Sequence, residues 1–149
     1  VKVKFNPSPK MHDGRNLEEL TAFSKPIPFL PPNEKYWRHI GSSPDSRSIA
    51  VARKHNLNIS NLSGRQFQVS DFDTFDYIYV MDNSNYDNVL KLARDNKDIS
   101  KVNMILNEVY PNQNHDVPDP YYGGDHGFEN VYTMLNEACD IIATNLTSN

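Results

Sequence analysis

The stretch Val117-Pro118-Asp119-Pro120-Tyr121-Tyr122-Gly123-Gly124-Asp125 holds the best-framed acid in the chain. Prolines flank Asp119, and a residue that precedes proline is pushed toward extended backbone. A carboxylate held in this way can be aimed, which general acid catalysis requires. Tyr121 and Tyr122 set two aromatic faces beside it, and Gly123-Gly124 lets the chain turn into the segment that follows. The same residues also suit an Asx turn with two surface tyrosines, so the residues alone leave both readings open. His115, Asp116, Asp119, Asp125 and His126 share this stretch. No cysteine joins them and their spacing is not that of a zinc pattern, so no metal site is expected. Cys139 is the only cysteine. It falls on the apolar side of the last periodic segment, which reads as core packing.

The elements that must position these residues are regular from about Tyr36 onward. Ser43 can cap a helix with Pro44 at its first position, running to about His55 with Ile49 and Ala52 inward and Asn56 as a stop. Ser70 to Phe75 reads as a short capped helical turn. Asp76-Tyr77-Ile78-Tyr79-Val80-Met81 is an aromatic and β-branched run, hence a buried strand that should be central. Asp82 or Asn83 can cap the next helix, carrying Tyr86, Val89, Leu90 and Ala93, and Asp95 to Asp98 reads as a solvated helix end. Val102 to Leu106 is a second strand, and Pro111 to Gly127 a long loop. Apolar residues at 128, 131, 132, 135, 138, 139, 142 and 146 predict a helix from Phe128 to Leu146. Strands alternating with helices imply a parallel α/β sheet, whose ligand site lies beyond the carboxyl ends of the strands.

Residues 1 to 36 read differently. They hold Pro7, Pro9, Pro26, Pro28, Pro31 and Pro32, six of the ten prolines. Lys25 to Pro32 looks like an extended connector, Asp13 to Phe23 could form a short helix, and Val1 to Phe5 a short strand. A length of 149 residues predicts one domain. Fifteen basic and 19 acidic residues give a net charge of −4, which argues against a nucleic-acid partner. No apolar run approaches the ~20 residues of a membrane span. A single cysteine fits a reducing, cytoplasmic setting.

Asp119-Pro120-Tyr121-Tyr122-Gly123-Gly124 resembles the acid loop of the low molecular weight protein tyrosine phosphatases. Other segments resemble that family in the same order. Trp37-Arg38-His39-Ile40-Gly41 is similar to its Trp-His-x-Gly segment, with Arg38 extra. Ser63-Gly64-Arg65-Gln66-Phe67 resembles its Arg-Gln element. Asp71-Phe72-Asp73-Thr74-Phe75-Asp76-Tyr77-Ile78-Tyr79-Val80-Met81-Asp82 resembles its Asp-Phe…Phe-Asp-Tyr-Ile…Met-Asp strand, and Ser84-Asn85 follow. The likeness begins at about residue 37 and runs to 146, whereas residues 1–36 do not match. It implies an α/β fold with a four-stranded parallel sheet and helices on both faces. It also implies hydrolysis of phosphate monoesters, on a phosphotyrosine protein or a small aryl phosphate, with release of phosphate and without metal or cofactor. In the family a cysteine thiolate attacks phosphorus and forms a phosphocysteine. Asp119 matches the acid that protonates the leaving phenol and then activates water. Trp37, Tyr121 and Tyr122 match aromatic positions around the substrate pocket, and Asp82 and Arg65 match positions that read as supporting structure.

One departure matters. The family's nucleophile sits near the amino terminus in a Cys-x5-Arg loop. There, successive backbone N–H groups and a helix N-terminus point at one phosphate, lower the thiol pKa, and are joined by the arginine fork. Residues 1 to 36 contain no cysteine, and position 145, six residues after Cys139, is Asn145. A shifted reading frame, a pseudophosphatase that binds without hydrolysing, and a chimeric or truncated gene each account for this. The abrupt change of composition near Tyr36 favours the first.

Overall fold

The computed structural model describes Lys2, Val3, Gly41, residues 43–64 and residues 66–148. Its centre is β2, Tyr77–Val80, which pairs in parallel with β3, Val102–Met104, placing Ile78 opposite Val102 and Val80 opposite Met104. Side chains alternate across a strand. Tyr79 and the following Met81 therefore pack with Ile105, Leu106, Ala138, Cys139 and Ile142 on one face. Ile78 and Val80 pack with Phe72, Phe75, Val89, Val102 and Met104 on the other. Ile78 and Val80 are fully buried, as expected of a strand covered on both sides. The two covers are helical. One is α5, Gly127–Thr147; the other combines α2, Asp71–Thr74, with α3, Asn83–Leu90. The expected central strand and the expected core position of Cys139 are both met.

A third strand, β1 at Lys2–Val3, lies along the opposite edge of β2 and runs antiparallel to it, Lys2 opposite Ile78. The Val1–Phe5 strand is thus present at these two residues. Among the described residues the sheet has three strands in the order β1-β2-β3, two of them parallel, with helices on both faces. A wholly parallel four-stranded sheet is not what these residues form. Edge N–H and C=O groups can be met by a neighbour of either direction, so pairing alone does not dictate a parallel β1.

The first helix, α1, spans Ser46–Lys54, starting later than Ser43-Pro44 suggested. Asp45 is the cap, accepting the Arg47 N–H at 2.9 Å. Aspartate caps as well as serine and adds a negative charge at the positive end of the helix dipole. The stop at Asn56 holds. Asn56 sits at φ 60, its N–H donates to Arg53 O at 3.0 Å, and the Leu57 N–H donates to Ala52 O at 2.9 Å. These are the two bonds of a Schellman end, which needs a left-handed residue that asparagine tolerates. Leu57, Ala52 and Ile59 form a small core against which Tyr132 of α5 packs. The His55 ring stacks on Tyr132 at 4.0 Å, and its Nε2 lies 2.6 Å from Glu129 Oε1. These contacts fix α1 beside the start of α5.

Asp95 to Asp98 is not a solvated helix end. Asp95 caps a short helix, α4 at Asn96–Ile99, by accepting the Asp98 N–H at 2.9 Å. Asp98 itself is buried. Its Oδ2 accepts from Arg94 Nε at 2.7 Å and from the Arg94 N–H at 3.0 Å, while Arg94 Nη2 reaches Asp73 Oδ1 at 2.6 Å. The charge-assisted bond from Arg94 pulls the Asp98 carboxyl down to about 2. A depressed folded pKa adds stability above the unfolded value near ~3.9, and that stability is lost as pH falls toward about 2. Urea unfolding between neutral pH and pH ~2 is expected to show this loss in the native chain. Asp98→Asn should be less stable at neutral pH and flatter across the acid window.

Candidate active site

The loop bearing Asp119 is fastened to the carboxyl ends of β2 and β3. Met81 O, just past β2, accepts the Val117 N–H at 2.7 Å. Asp116 Oδ1 accepts from the Asn83 N–H at 2.8 Å and from Asn83 Nδ2 at 2.7 Å, so the loop is pinned at the start of α3. Beyond β3, Asn107 and Asn114 exchange two bonds of 2.8 Å, Asn114 N–H to Asn107 Oδ1 and Asn107 Nδ2 to Asn114 Oδ1. Asn112 and Asn114 adopt positive φ, 62 and 52, which lets the loop reverse sharply. At the head of α3, Asp82 accepts from the Asn85 N–H at 2.7 Å and from Asn85 Nδ2 at 2.6 Å, a supporting contact. The loop thus crosses the strand ends where ligands bind in parallel sheets.

Asp119 is extended at φ −68, ψ 117, as its proline neighbour requires. Its Oδ1 accepts the Tyr121 N–H at 2.9 Å and caps a 3-10 turn over Pro120–Tyr122. The Asx turn and the aimed carboxylate are therefore one geometry. Asp119 is solvent-exposed, and its Oδ2 makes no hydrogen bond among the described residues.

The two tyrosines differ sharply. Tyr122 is 90 % exposed, whereas Tyr121 is half-covered by a cluster that the sequence did not reveal. The Tyr121 hydroxyl donates to Asp45 Oδ2 at 2.5 Å. Arg47 Nε and Nη2 donate to the two Asp45 oxygens at 3.0 and 3.1 Å. The Arg47 guanidinium lies 4.3 Å from the centre of the Tyr121 ring and 4.4 Å from that of Phe128, and the two rings meet edge-on at 5.7 Å. The Arg47 fork, with help from the Tyr121 hydroxyl, holds the Asp45 carboxyl well below the usual carboxylate range. The Asp45 carboxylate in turn pushes the Tyr121 phenol up. An Asp-x-Arg spacing does not put two side chains on one helical face. The signal in the chain was a second capping residue, Asp45, two positions after Ser43. Trp37, His39 and Arg65 lie outside the described residues. Cys139 is 2 % exposed within the core that joins α5 to β2.

Two glycines seat the loop on α5. A Cβ on Gly127 would lie 2.3 Å from Pro120 O, and one on Gly123 would lie 2.6 Å from the Gly127 Cα. Backbone meets backbone here, with no flexible side chain to yield. Gly127→Ala is expected to cost about 1–3 kcal/mol in denaturant unfolding, the usual range for overpacking. It should also shift the NMR resonances of residues 119–123 while those of β3 stay in place.

No three His, Cys, Asp or Glu side chains converge as a metal site would need, among the described residues. Nor is any described helix long and apolar enough to cross a membrane.

Comparison with known proteins places this geometry. A family model described as low molecular weight phosphotyrosine protein phosphatase matches residues 36–149. A Synechocystis sp. protein named as a low molecular weight protein-tyrosine-phosphatase is 39% identical over 108 residues, covering 72% of this chain and 68% of its own. The low molecular weight phosphotyrosine protein phosphatase of Schizosaccharomyces pombe is 36% identical over 97 residues, covering 65% of this chain, which spans 61% of that relative's length. A crystal structure of a protein tyrosine phosphatase from Entamoeba histolytica, with Hepes in its active site, superposes with a TM-score of 0.65 at 33% identity. It covers 74% of this chain and 69% of its own. With its strand ends, capped loop and matching segments in the family's order, the chain belongs to the low molecular weight phosphotyrosine protein phosphatase family.

Proposed function

We propose that this chain carries the acid half of a metal-free phosphomonoesterase acting on phosphotyrosine proteins or small aryl phosphates. The observation that carries the reading is Asp119. It is exposed at the carboxyl ends of the parallel strands, with one oxygen fixed by the Tyr121 N–H and the other turned to no described partner. In the full reaction a cysteine thiolate attacks phosphorus as the bond to the phenol oxygen breaks. Asp119 delivers its proton to that oxygen, so the leaving group departs as neutral phenol. The resulting carboxylate then takes a proton from the water that attacks the phosphocysteine, which releases phosphate and restores the thiolate and the acid. Tyr121, Tyr122 and Trp37 supply the aromatic surroundings of the substrate ring. The single buried thiol fits a reducing, cytoplasmic setting.

A second reading is favoured by one specific observation. No cysteine lies in residues 1–36, and Cys139 is 2 % exposed in the core. A protein of this fold that binds phosphate or a phosphopeptide without hydrolysing it would look the same. The test is a chain in which a family-like amino-terminal segment with its Cys-x5-Arg loop replaces the residues ahead of Trp37. Hydrolysis of phosphotyrosine without added metal supports the acid-half reading. Phosphopeptide binding without turnover in that chain overturns it in favour of the binding protein.

A further inference from the structure

Asp119 is reached by a chain of contacts that begins on a different element. Its Oδ1 is bonded to the Tyr121 N–H, so its orientation follows the backbone of Tyr121. That backbone in turn follows the Tyr121 ring. The ring is held by its hydroxyl bond to Asp45, by the Arg47 guanidinium over its face and by the edge of Phe128. Asp45 and Arg47 stand at the start of α1, more than seventy positions from the loop in sequence. An exposed 3-10 turn is ordinarily free to move, and Tyr122, one residue on, is 90 % exposed. The Asp45–Arg47 pair brings charge onto this turn, and its two members are fixed to each other by a bidentate fork.

We propose that Asp45 and Arg47 are positioning residues that hold Asp119 in its proton-donating orientation by latching Tyr121 to the start of α1. Neither residue exchanges a proton with the substrate. The latch keeps the Asx turn populated, so that the carboxyl oxygen not bonded to Tyr121 stays directed to one place. This inference rests on the acid-half reading, and its test separates the two.

The first measurement needs no activity. Backbone order parameters of the 149-residue chain are expected to be near the rigid value of about 0.85 at residues 119–122, and to fall below about 0.6 there in Arg47→Ala and Asp45→Ser. Serine still caps α1, so Asp45→Ser separates loss of the latch from loss of the helix start. Residues of α5 beyond Tyr132 should be unchanged. The second measurement uses the chain bearing the Cys-x5-Arg loop. There Arg47→Ala, Asp45→Ser and Tyr121→Phe should each lower kcat roughly tenfold or more for aryl phosphates with poor leaving groups, a fraction of what a positioned acid supplies. Good leaving groups should be little affected. In an Asp119→Asn background the same changes should cost little more, because residues acting as one unit are not additive. Unchanged order at residues 119–122, or equal losses on every leaving group, or losses that add fully to that of Asp119→Asn, would overturn the latch. If the grafted chain shows no turnover, the acid-half reading fails and the order parameters alone decide the positioning.

Discussion

Asp119→Asn, in a chain carrying a Cys-x5-Arg loop ahead of Trp37, is expected to lower kcat by roughly 10²–10⁴, the usual worth of a positioned general acid. The substitution is clean because the asparagine Oδ1 can still accept the Tyr121 N–H that now bonds the carboxylate at 2.9 Å. The turn persists, and what disappears is the transferable proton. The loss should therefore be large for phenyl phosphates with poor leaving groups. It should be small for good ones, whose phenolates need little protonation. It should fall on kcat far more than on KM, since the proton is needed only as negative charge builds on the departing oxygen. Steady-state rates across a series of substituted phenyl phosphates measure this directly. Equal losses across the series would reduce Asp119 to a turn residue.

The 149-residue chain itself is expected to hydrolyse para-nitrophenyl phosphate no faster than buffer. Proton donation cannot replace attack on phosphorus, and the only thiol cannot make that attack. Cys139 is packed with Tyr79, Met81 and Ile142 between α5 and β2 at 2 % exposure. A helix interior also offers it no ring of converging N–H groups, because those amides are already bonded along the helix. Cys139→Ala should leave the null rate where it is and cost stability instead. Turnover well above background in the purified chain would demand another nucleophile.

What could be read from the chain alone follows from how local each signal is. The run Tyr77 to Met81 announced a strand covered on both faces, because alternation and β-branching are properties of neighbouring residues. The last helix was legible for the same reason, its apolar positions recurring at helical spacing from 128 to 146 within a helix of 21 residues. The acid loop was legible from Pro118 and Pro120, which fix the backbone of Asp119 whatever surrounds it. The features that escaped reading are those set by distant partners. Nothing near Asp98 says that Arg94, four residues before it, will also be held by Asp73 at 2.6 Å, and four polar residues in a row look solvated. Nothing near Asp45 says that a tyrosine 76 positions later will bond it. The direction of β1 was equally silent, since two residues pair as well one way as the other.

The hydrogen bonds that fasten the acid loop have an inheritance consequence. Met81, Asn83, Asn107, Asp45 and Gly127 all belong to the segment from residue 43 onward, and so do their partners among the described residues. Among the described residues, the fastenings of this loop therefore lie in the segment that follows Trp37. A change of sequence ahead of Trp37 is expected to leave these bonds in place and to act on the sheet through β1, which pairs with β2. Under the acid-half reading, a nucleophile-bearing segment placed ahead of Trp37 is expected to meet a loop whose fastening bonds are already formed.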